Sequence, residues 1–234
     1  MKRFALATLT LLGAAAAQNF SLSPTAFNLD PARTNTAQVR LQNPGSTPLK
    51  FQVEVRKWTT ENGQHVYSAT RDVVVNPASF TLGPGESQVI RLGLLKKAGA
   101  DELTYRVFVQ QVPAEGTATQ QVSSGSANMS LAQLVRLSLP VYVTPANSAP
   151  KVSFRARQNG GDLTLDVVNA GNQHQTFRAL SVVVGGQEVK LGSAAVLGRS
   201  TLSLPLKGVK ASGPLEVRYT DTNDKEGRET LPLP

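Results

Sequence analysis

One stretch near the middle of the chain alternates between apolar and polar side chains for longer than an ordinary strand does. Between Asn128 and Pro145 the odd-numbered positions are apolar with one exception, a glutamine: Met129, Leu131, Gln133, Val135, Leu137, Leu139, Val141 and Val143. Strict alternation predicts a strand with one buried face. Strands in globular proteins average about five to six residues, and this one is about twice that length even if it ends before Pro140. The stretch therefore predicts an apolar face longer than the chain's own sheet needs.

The first 17 residues have the composition of a secretory signal peptide. Lys2 and Arg3 form a positive start, residues 4–12 an apolar centre, and Ala15 to Ala17 a small-residue cleavage site before Gln18. The apolar centre is shorter than the roughly twenty residues that span a bilayer. No later segment has the composition of a membrane span. We therefore expect an exported chain with no membrane span after cleavage.

Composition narrows the possible partners. The chain contains no cysteine, which excludes disulfide bonds and the lipid anchor of a bacterial lipoprotein, so packing alone must stabilise its domains. The formal net charge of +8 falls to +6 when Lys2 and Arg3 are removed. The other basic residues are scattered singly along strand-like segments rather than collected in runs. We therefore expect a basic surface that does not bind nucleic acid.

Two sets of short alternating segments, separated by turn-forming residues, predict an all-β protein of two sandwiches. The first set is 20–29, 36–42, 51–58, 73–76, 88–94, 104–112 and the long stretch. Asn62 and Gly63 are a turn signal within this set. After a link at 146–150 rich in Pro, Ser and Asn, the second set is 152–156, 163–168, 177–184, 188–191, 201–204, 215–220 and 229–231.

Two local echoes between the halves support a repeated architecture. In the first half a strand leads into Asn43-Pro-Gly45, and in the second half a strand leads into Asn169-Ala-Gly171. A weaker echo relates the segment 80–85 to the segment 196–198. Such turns are common, so the echoes predict similar folds and carry little information about function.

The sequence gives no sign of a catalytic or metal centre, and we expect no cofactor. His65 and His174 lack the spacing of metal ligands or of a base beside a nucleophile. No phosphate loop, nucleophile elbow or dinucleotide fingerprint occurs. The segment 221–227 superficially resembles a calcium loop, but its glycine is misplaced and no glutamate occupies the twelfth position. These patterns favour a binding or structural protein over an enzyme.

Seven motifs, in order and at compatible spacings, are similar to those of a known family. They are Ser21-Leu-Ser-Pro-Thr25, Leu41-Gln-Asn-Pro-Gly45, Val53-Glu-Val-Arg-Lys-Trp58, Val75-Asn-Pro-Ala-Ser-Phe-Thr-Leu-Gly-Pro-Gly85, Ile90-Arg-Leu92, Tyr105-Arg-Val-Phe-Val-Gln-Gln-Val-Pro113 and Leu137-Ser-Leu-Pro-Val-Tyr-Val143. The chain resembles the periplasmic pilus-assembly chaperones of the PapD-like family, and within it the archaic branch that accompanies spore-coat-U-type pili. The resemblance covers nearly the whole chain after the signal peptide and is densest in the first half.

The resemblance implies two immunoglobulin-like domains in a boomerang arrangement, 18–145 and 151–234, with a linker at 146–150. It implies a periplasmic chaperone that lends a long donor strand, 128–143, to an incomplete pilin subunit and delivers the subunit to an outer-membrane usher. Backbone pairing and alternate side chains would then fill the subunit's groove. A homodimer in which the exposed strand caps itself is a further expectation. The alternative is a two-domain structural or adhesive surface protein that binds a ligand through its loops.

The resemblance also implies particular site residues. The donor side chains are expected to be Met129, Leu131, Gln133 and Val135, with Leu137 and Leu139 entering the protein's own core. The segment 114–127 corresponds to the loop that precedes the donor strand.

In this family two basic residues bind the subunit's C-terminal carboxylate, but Ala26 stands where the first-strand arginine is expected. The candidates for this anchor are Arg136, Arg106 and Arg91, with Ser138 an alternative alignment for the donor-strand position. Trp58 and Tyr142 are expected to pack at the junction between the domains.

Overall fold

The computed structural model describes residues 20–113, 120–124, 127–131, 134–159, 162–209 and 213–232. The predicted signal peptide lies outside these ranges, as does part of the loop predicted at 114–127. All regular elements within the described ranges are β-strands, and none of those residues belongs to a helix of the length and hydropathy that a membrane span requires.

Within the described ranges, twelve strands precede the junction between the two halves. They are β1 (Ser21–Ser23), β2 (Phe27–Leu29), β3 (Thr36–Gln42), β4 (Leu49–Glu61), β5 (Gln64–Ala69), β6 (Val73–Asn76), β7 (Ser79–Leu82), β8 (Ser87–Leu94), β9 (Leu103–Val112), β10 (Gln120–Ser124), β11 (Ala127–Leu131) and β12 (Arg136–Val143).

These strands form a sandwich and one separate hairpin. The first sheet has the order β1-β3-β8-β6, and the second has the order β2-β12-β9-β4-β5, with β7 paired to the beginning of β4. Alternate side chains of both sheets meet in one core, which includes Phe27, Leu41, Phe51, Ile90, Val107 and Val141. The hairpin of β10 and β11 belongs to neither sheet.

The second half is a smaller sandwich of seven strands. They are β13 (Val152–Asn159), β14 (Asp162–Asn169), β15 (Gln175–Val184), β16 (Gln187–Val196), β17 (Ser200–Leu206), β18 (Leu215–Asp221) and β19 (Glu226–Leu231). One sheet has the order β13-β14-β17 and the other β16-β15-β18-β19. Its core is separate from the first and includes Leu165, Val182 and Val217. The all-β prediction of two sandwiches is confirmed.

The long predicted strand differs from the structure. It is divided between β11, which pairs with β10, and β12, which pairs with β9. The physical reason is the length of the partner: β9 ends at Val112, and the ladder closes with a hydrogen bond from Gln111 N to Val135 O at 2.8 Å. Upstream of Val135 the second sheet offers this stretch no further backbone partner in the described ranges.

Several other segments also depart from the sequence prediction. The strands β5 (Gln64–Ala69) and β10 (Gln120–Ser124) were not predicted, and β10 lies in the segment expected to be a loop. The predicted strand 20–29 is two short strands, because β1 joins the first sheet and β2 joins the second. The strand β7 was not predicted, since its four residues lie within a run of turn-forming residues. The predicted turn at Asn62 and Gly63 is confirmed: both residues have positive φ, 49° and 77°, between β4 and β5.

The paired echoes correspond to one hydrogen-bonding motif in each sandwich. Asn43 is buried, and its Nδ2 donates to the carbonyls of Thr47, Leu82 and Gly83 at 2.8, 3.2 and 3.1 Å. Asn169 is buried likewise and donates to the carbonyls of Gln173 and Val196 at 2.7 and 3.4 Å. Each asparagine therefore ties the loop after one strand to a second strand of its own sandwich.

A polar cluster and a small apolar cluster join the two halves. The Glu102 carboxylate accepts hydrogen bonds from Thr144 Oγ1 at 2.5 Å and His174 N at 2.8 Å, and it lies 2.8 Å from His174 Nδ1. The His174 ring stacks on Tyr142 with 3.4 Å between centroids. Trp58 and Tyr142 pack against Leu197 in the apolar cluster, which confirms that both aromatic residues lie at the junction.

The tip of the β4–β5 hairpin makes a second contact with the other half. Ser203 N on β17 donates to Gly63 O at 2.8 Å, and Gln64 Nε2 donates to Ser203 O at 3.1 Å. A Cβ at Gly63 would come within 2.2 Å of Ser203 Oγ. The close approach therefore requires glycine at this position.

Candidate functional site

The candidate site lies on the face of the second sheet that is turned away from the core, where β4, β9 and β12 run side by side. Because Tyr105, Val107 and Val109 fill the core, the alternate residues of β9 point away from it. The same alternation applies to β4 and β12. We call the resulting surface the arginine face and define it by six residues: Glu54, Arg56, Trp58, Arg106, Phe108 and Arg136.

Arg106 is the centre of this surface. Its guanidinium carbon lies 3.9 Å from the centroid of the Trp58 ring, an arrangement that favours a cation. Its Nη1 donates a hydrogen bond to the carbonyl of Ser138 at 3.5 Å. Within the described ranges no carboxylate lies at ion-pair distance from Arg106. The positive charge is thus held against the Trp58 ring, with no counter-charge among the described residues.

His65 does not neutralise or add to this charge at neutral pH. Its ring lies 5.0 Å from that of Trp58 in an edge-to-face arrangement. Burial, and secondarily the positive charge of Arg106, lowers the pKa of His65 below its usual value. The neutral form is therefore favoured, and Arg106 carries the charge in this part of the face.

Arg136, at the start of β12, has an acidic partner. Its guanidinium carbon lies 4.1 Å from the centroid of Phe108, and its Nη2 is 3.0 Å from Glu54 Oε1. The other oxygen of Glu54 is 2.8 Å from Arg56 Nη2. Arg136 therefore lies on the same face as Arg106, but it has an ion-pair partner in Glu54, which it shares with Arg56.

Arg91, the third anchor candidate, lies on the other sheet, away from Arg106 and Arg136. It is on β8 of the first sheet, paired with Gln38 of β3 and Asn76 of β6. Ile90 and Leu92 fill the core, so Arg91 must point outward from the opposite side of the sandwich. Sequence alternation alone does not tell which of two sheets a strand joins.

The expected donor residues fall partly within the described ranges. Met129 and Leu131 are on β11, whose backbone pairs with Val122 and Gln120 of β10. Gln133 lies outside the described residues. Val135 is half-buried at the end of the β9–β12 ladder. Leu137 packs against the first core and Leu139 lies within it, as the sequence predicts.

Three residues of the arginine face, Glu54, Arg56 and Phe108, were not singled out from the sequence. The sequence did indicate the common orientation of the first two, since Glu54, Arg56 and Trp58 occupy every second position and must share one face of β4. The sequence did not show which strand lies beside β4. Only the pairing of Arg56 with Arg106 and of Glu54 with Phe108 places these side chains beside the candidate anchors.

Comparison with known proteins identifies the class. Residues 19–149, more than half of the chain, match the family model of pili and flagellar-assembly chaperones, PapD N-terminal domain. None of the curated protein sequences that were compared matches the chain.

Solved structures agree with the fold at low sequence identity. The chain matches, over 92% of its length and 99% of the other chain, a chaperone–tip adhesion subunit complex, CsuC–CsuE, from archaic Csu pili of Acinetobacter baumannii, with TM-score 0.71 and 19% identity. The Salmonella enterica SafA pilin–SafB chaperone complex matches with TM-score 0.60 and 18% identity, over 92% of this chain and 96% of that chain. The CupB2 chaperone of Pseudomonas aeruginosa matches with TM-score 0.56 and 17% identity, over 90% and 97%.

The fold and the family model together define a two-sandwich chaperone of the immunoglobulin-like type. The chain belongs to the PapD-like family of pilus-assembly chaperones, which confirms the resemblance found in its motifs. A role in pilus assembly follows from the family, and the alternative of an adhesive surface protein is not retained.

Proposed function

We propose that the protein is a periplasmic chaperone that captures an incomplete pilin subunit by donor-strand complementation and passes it to an outer-membrane usher. We assign 1–17 to the cleaved signal peptide, 18–145 and 151–234 to the two domains and 146–150 to the linker. The similar solved structures of a chaperone in complex with a pilin or with a tip adhesion subunit support a pilin as partner.

The donor strand is proposed to be the stretch whose alternation continues beyond the β9–β12 ladder. Met129, Leu131 and Val135 would contribute apolar side chains to the subunit's groove, and Gln133 would occupy a shallow position. Burial of an apolar side chain of this size contributes about 1.5 to 3 kcal/mol. Three such contributions are large on the scale of a specific complex. No nucleotide is required, because release can be driven by the subunit's better packing with its next neighbour.

Arg106 is proposed to bind the C-terminal carboxylate of the subunit. The observation that carries this assignment is a guanidinium fixed on the Trp58 ring without an acidic partner in the described ranges. A carboxylate would supply the missing charge in a charge-assisted pair. Arg136 lies on the same face and is the second candidate, whereas Arg91 on the opposite sheet is not.

Co-expression with a candidate pilin tests the proposal. We expect a soluble one-to-one complex that Leu131→Asp and Val135→Asp abolish. Val74→Asp is the matched control, because Val74 is an apolar residue with 49% exposure on β6, away from the donor stretch. Intact complex with both donor variants would overturn donor-strand capture.

The anchor is tested in the same assay. Arg106→Ala should weaken the complex. It should change the free energy of unfolding of the free chaperone by no more than about 1 kcal/mol. Arg91→Ala removes an exposed arginine of the first sheet and should have no effect. Equal complex yield with Arg106→Ala and Arg91→Ala would remove Arg106 from the anchor.

A further inference from the structure

Arg56 and Arg106 stand directly opposite each other on neighbouring strands. They are register partners of β4 and β9, so their side chains project from the same face at the closest cross-strand spacing. Like charges in this position repel. The arrangement is unfavourable in isolation, and a carboxylate placed between the two guanidinium groups would relieve it.

Glu54 supplies the one carboxylate in the ion pairs described for β4, β9 and β12. Its two oxygens go to different arginines: Oε1 is 3.0 Å from Arg136 Nη2, and Oε2 is 2.8 Å from Arg56 Nη2 and 3.1 Å from Arg56 Nε. The Arg56 guanidinium is thus turned toward Glu54. Arg106, directly opposite, receives no carboxylate in the described part of the chain.

We propose that Arg56 is the second cation of the carboxylate anchor and that Glu54 is its internal competitor. This inference rests on the proposed capture of a subunit's C-terminal carboxylate at Arg106. In the free protein Glu54 holds Arg56 and Arg136. When a carboxylate binds at Arg106, Arg56 is the nearest guanidinium across the strand and exchanges Glu54 for the incoming group.

The exchange is physically easy because the competing pair is exposed. The side chains of Arg56 and Glu54 have exposures of 39% and 42%, and ion pairs in such positions are weak. Glu54 therefore lowers the affinity of the anchor without blocking it. A weakened anchor suits a protein that must later release its cargo, and it explains why an acid is kept among three arginines that face an anionic ligand.

The probe is a short fluorescent peptide of alternating apolar and polar residues with a free C-terminal carboxylate, compared with the same peptide as its C-terminal amide. Fluorescence anisotropy measures the dissociation constant for the full chain. We expect Glu54→Gln to bind the acid peptide roughly two- to fivefold more tightly than the unchanged protein. Binding of the amide should not change. Glu61→Gln, which removes an exposed carboxylate at the end of the same strand, is the matched control and should bind as the unchanged protein does.

A double variant identifies the recruited group. In Glu54→Gln with Arg56→Gln the gain should disappear, because no freed guanidinium faces Arg106. A gain that persists in the double variant would overturn the role of Arg56. A gain that is equal for acid and amide, or no gain, would overturn the role of Glu54.

The outcomes also separate this inference from the proposed function. If the unchanged protein prefers the acid peptide and Glu54→Gln leaves that preference as it was, only the competitor is wrong. If the unchanged protein shows no preference for the acid, the carboxylate anchor itself is wrong. Thermal unfolding of each variant shows whether a loss of binding reflects a loss of folded protein.

Discussion

The buried side chain of Asn43 permits a quantitative prediction about the first sandwich. Replacing it with alanine removes three donated hydrogen bonds, to the carbonyls of Thr47, Leu82 and Gly83, and one accepted from Gly45 N at 3.0 Å. A hydrogen bond contributes about 0.5 to 1.5 kcal/mol net, and a buried group left unpaired costs about 1 to 3 kcal/mol. Because several of these bonds share the two N–H groups of one amide, we expect Asn43→Ala to lower the free energy of unfolding by about 3 kcal/mol.

Urea unfolding followed by tryptophan fluorescence measures this change. Trp58 is the single tryptophan of the chain and lies in β4 at the junction, so its emission reports the first sandwich together with the contact with Leu197. Asn43→Asp distinguishes the accepted hydrogen bond from the donated ones, since it keeps the oxygen that accepts from Gly45 N and loses the N–H donors. We expect it to destabilise at least as much as alanine does, because a carboxylate would face three carbonyl oxygens.

Asn169→Ala is the internal comparison. It removes the equivalent bonds in the second sandwich, including those accepted from Gly171 N and Lys151 N at 3.0 Å each. The tryptophan-detected transition should respond more to Asn43→Ala than to Asn169→Ala, while circular dichroism should record both. A loss below about 1 kcal/mol for Asn43→Ala would refute the reasoning, because it would show that water replaces the amide at little cost.

Three further predictions concern the junction and the site. Gly63→Ala should lower the thermal unfolding temperature, because an L-residue is strained at φ 77° and its Cβ would strike Ser203; an unchanged transition would contradict the close approach. Glu102→Ala leaves His174 N without its acceptor, so we expect the free energy of unfolding to fall by about 2 kcal/mol. The distribution of interatomic distances from small-angle X-ray scattering should become broader, and an unchanged distribution would show that the junction does not depend on this carboxylate. The pKa of His65 is lowered in the folded state, so the unfolded chain takes up the proton first as the pH falls. The free energy of unfolding should therefore decrease below about pH 6.5, by at most about 1.4 kcal/mol per pH unit. His65→Gln should flatten this pH dependence in urea titrations, and an unchanged slope would refute the assignment to His65.

Much of the fold could be predicted because the alternation of apolar and polar residues within a strand shows which of its faces is buried. In the segment 88–94 alternate residues fill the core, and the structure places a strand at Ser87–Leu94. The Asn-x-Gly echo predicted similar halves correctly. What it represented became clear only in three dimensions, because the amide of Asn43 reaches carbonyls about forty residues away in sequence.

The site was less predictable because it depends on which strands are neighbours. The resemblance offered Arg91, Arg106 and Arg136 as anchor candidates on predicted strands, but the alternation of a strand has the same form in both sheets of a sandwich. Strand order then separates Arg91 from the others and brings Glu54 and Arg56 beside Arg106. A residue's face is a local property of the sequence, whereas its neighbours across the sheet are a property of the fold.

The proposed donor stretch and the proposed anchor would both determine the register in which a partner strand pairs with this protein. Arg106 is paired with Pro140 of β12, and Val135 lies five residues upstream, about 17 Å along an extended strand. A carboxylate held at Arg106 therefore fixes how far a partner strand extends past Val135 toward Leu131 and Met129. Because side chains alternate with a period of two, a shift by one residue would turn every apolar side chain of the partner away from its place. Under the proposed function, a weak electrostatic contact at one end would thus select the register, and the apolar contacts upstream would supply most of the binding free energy.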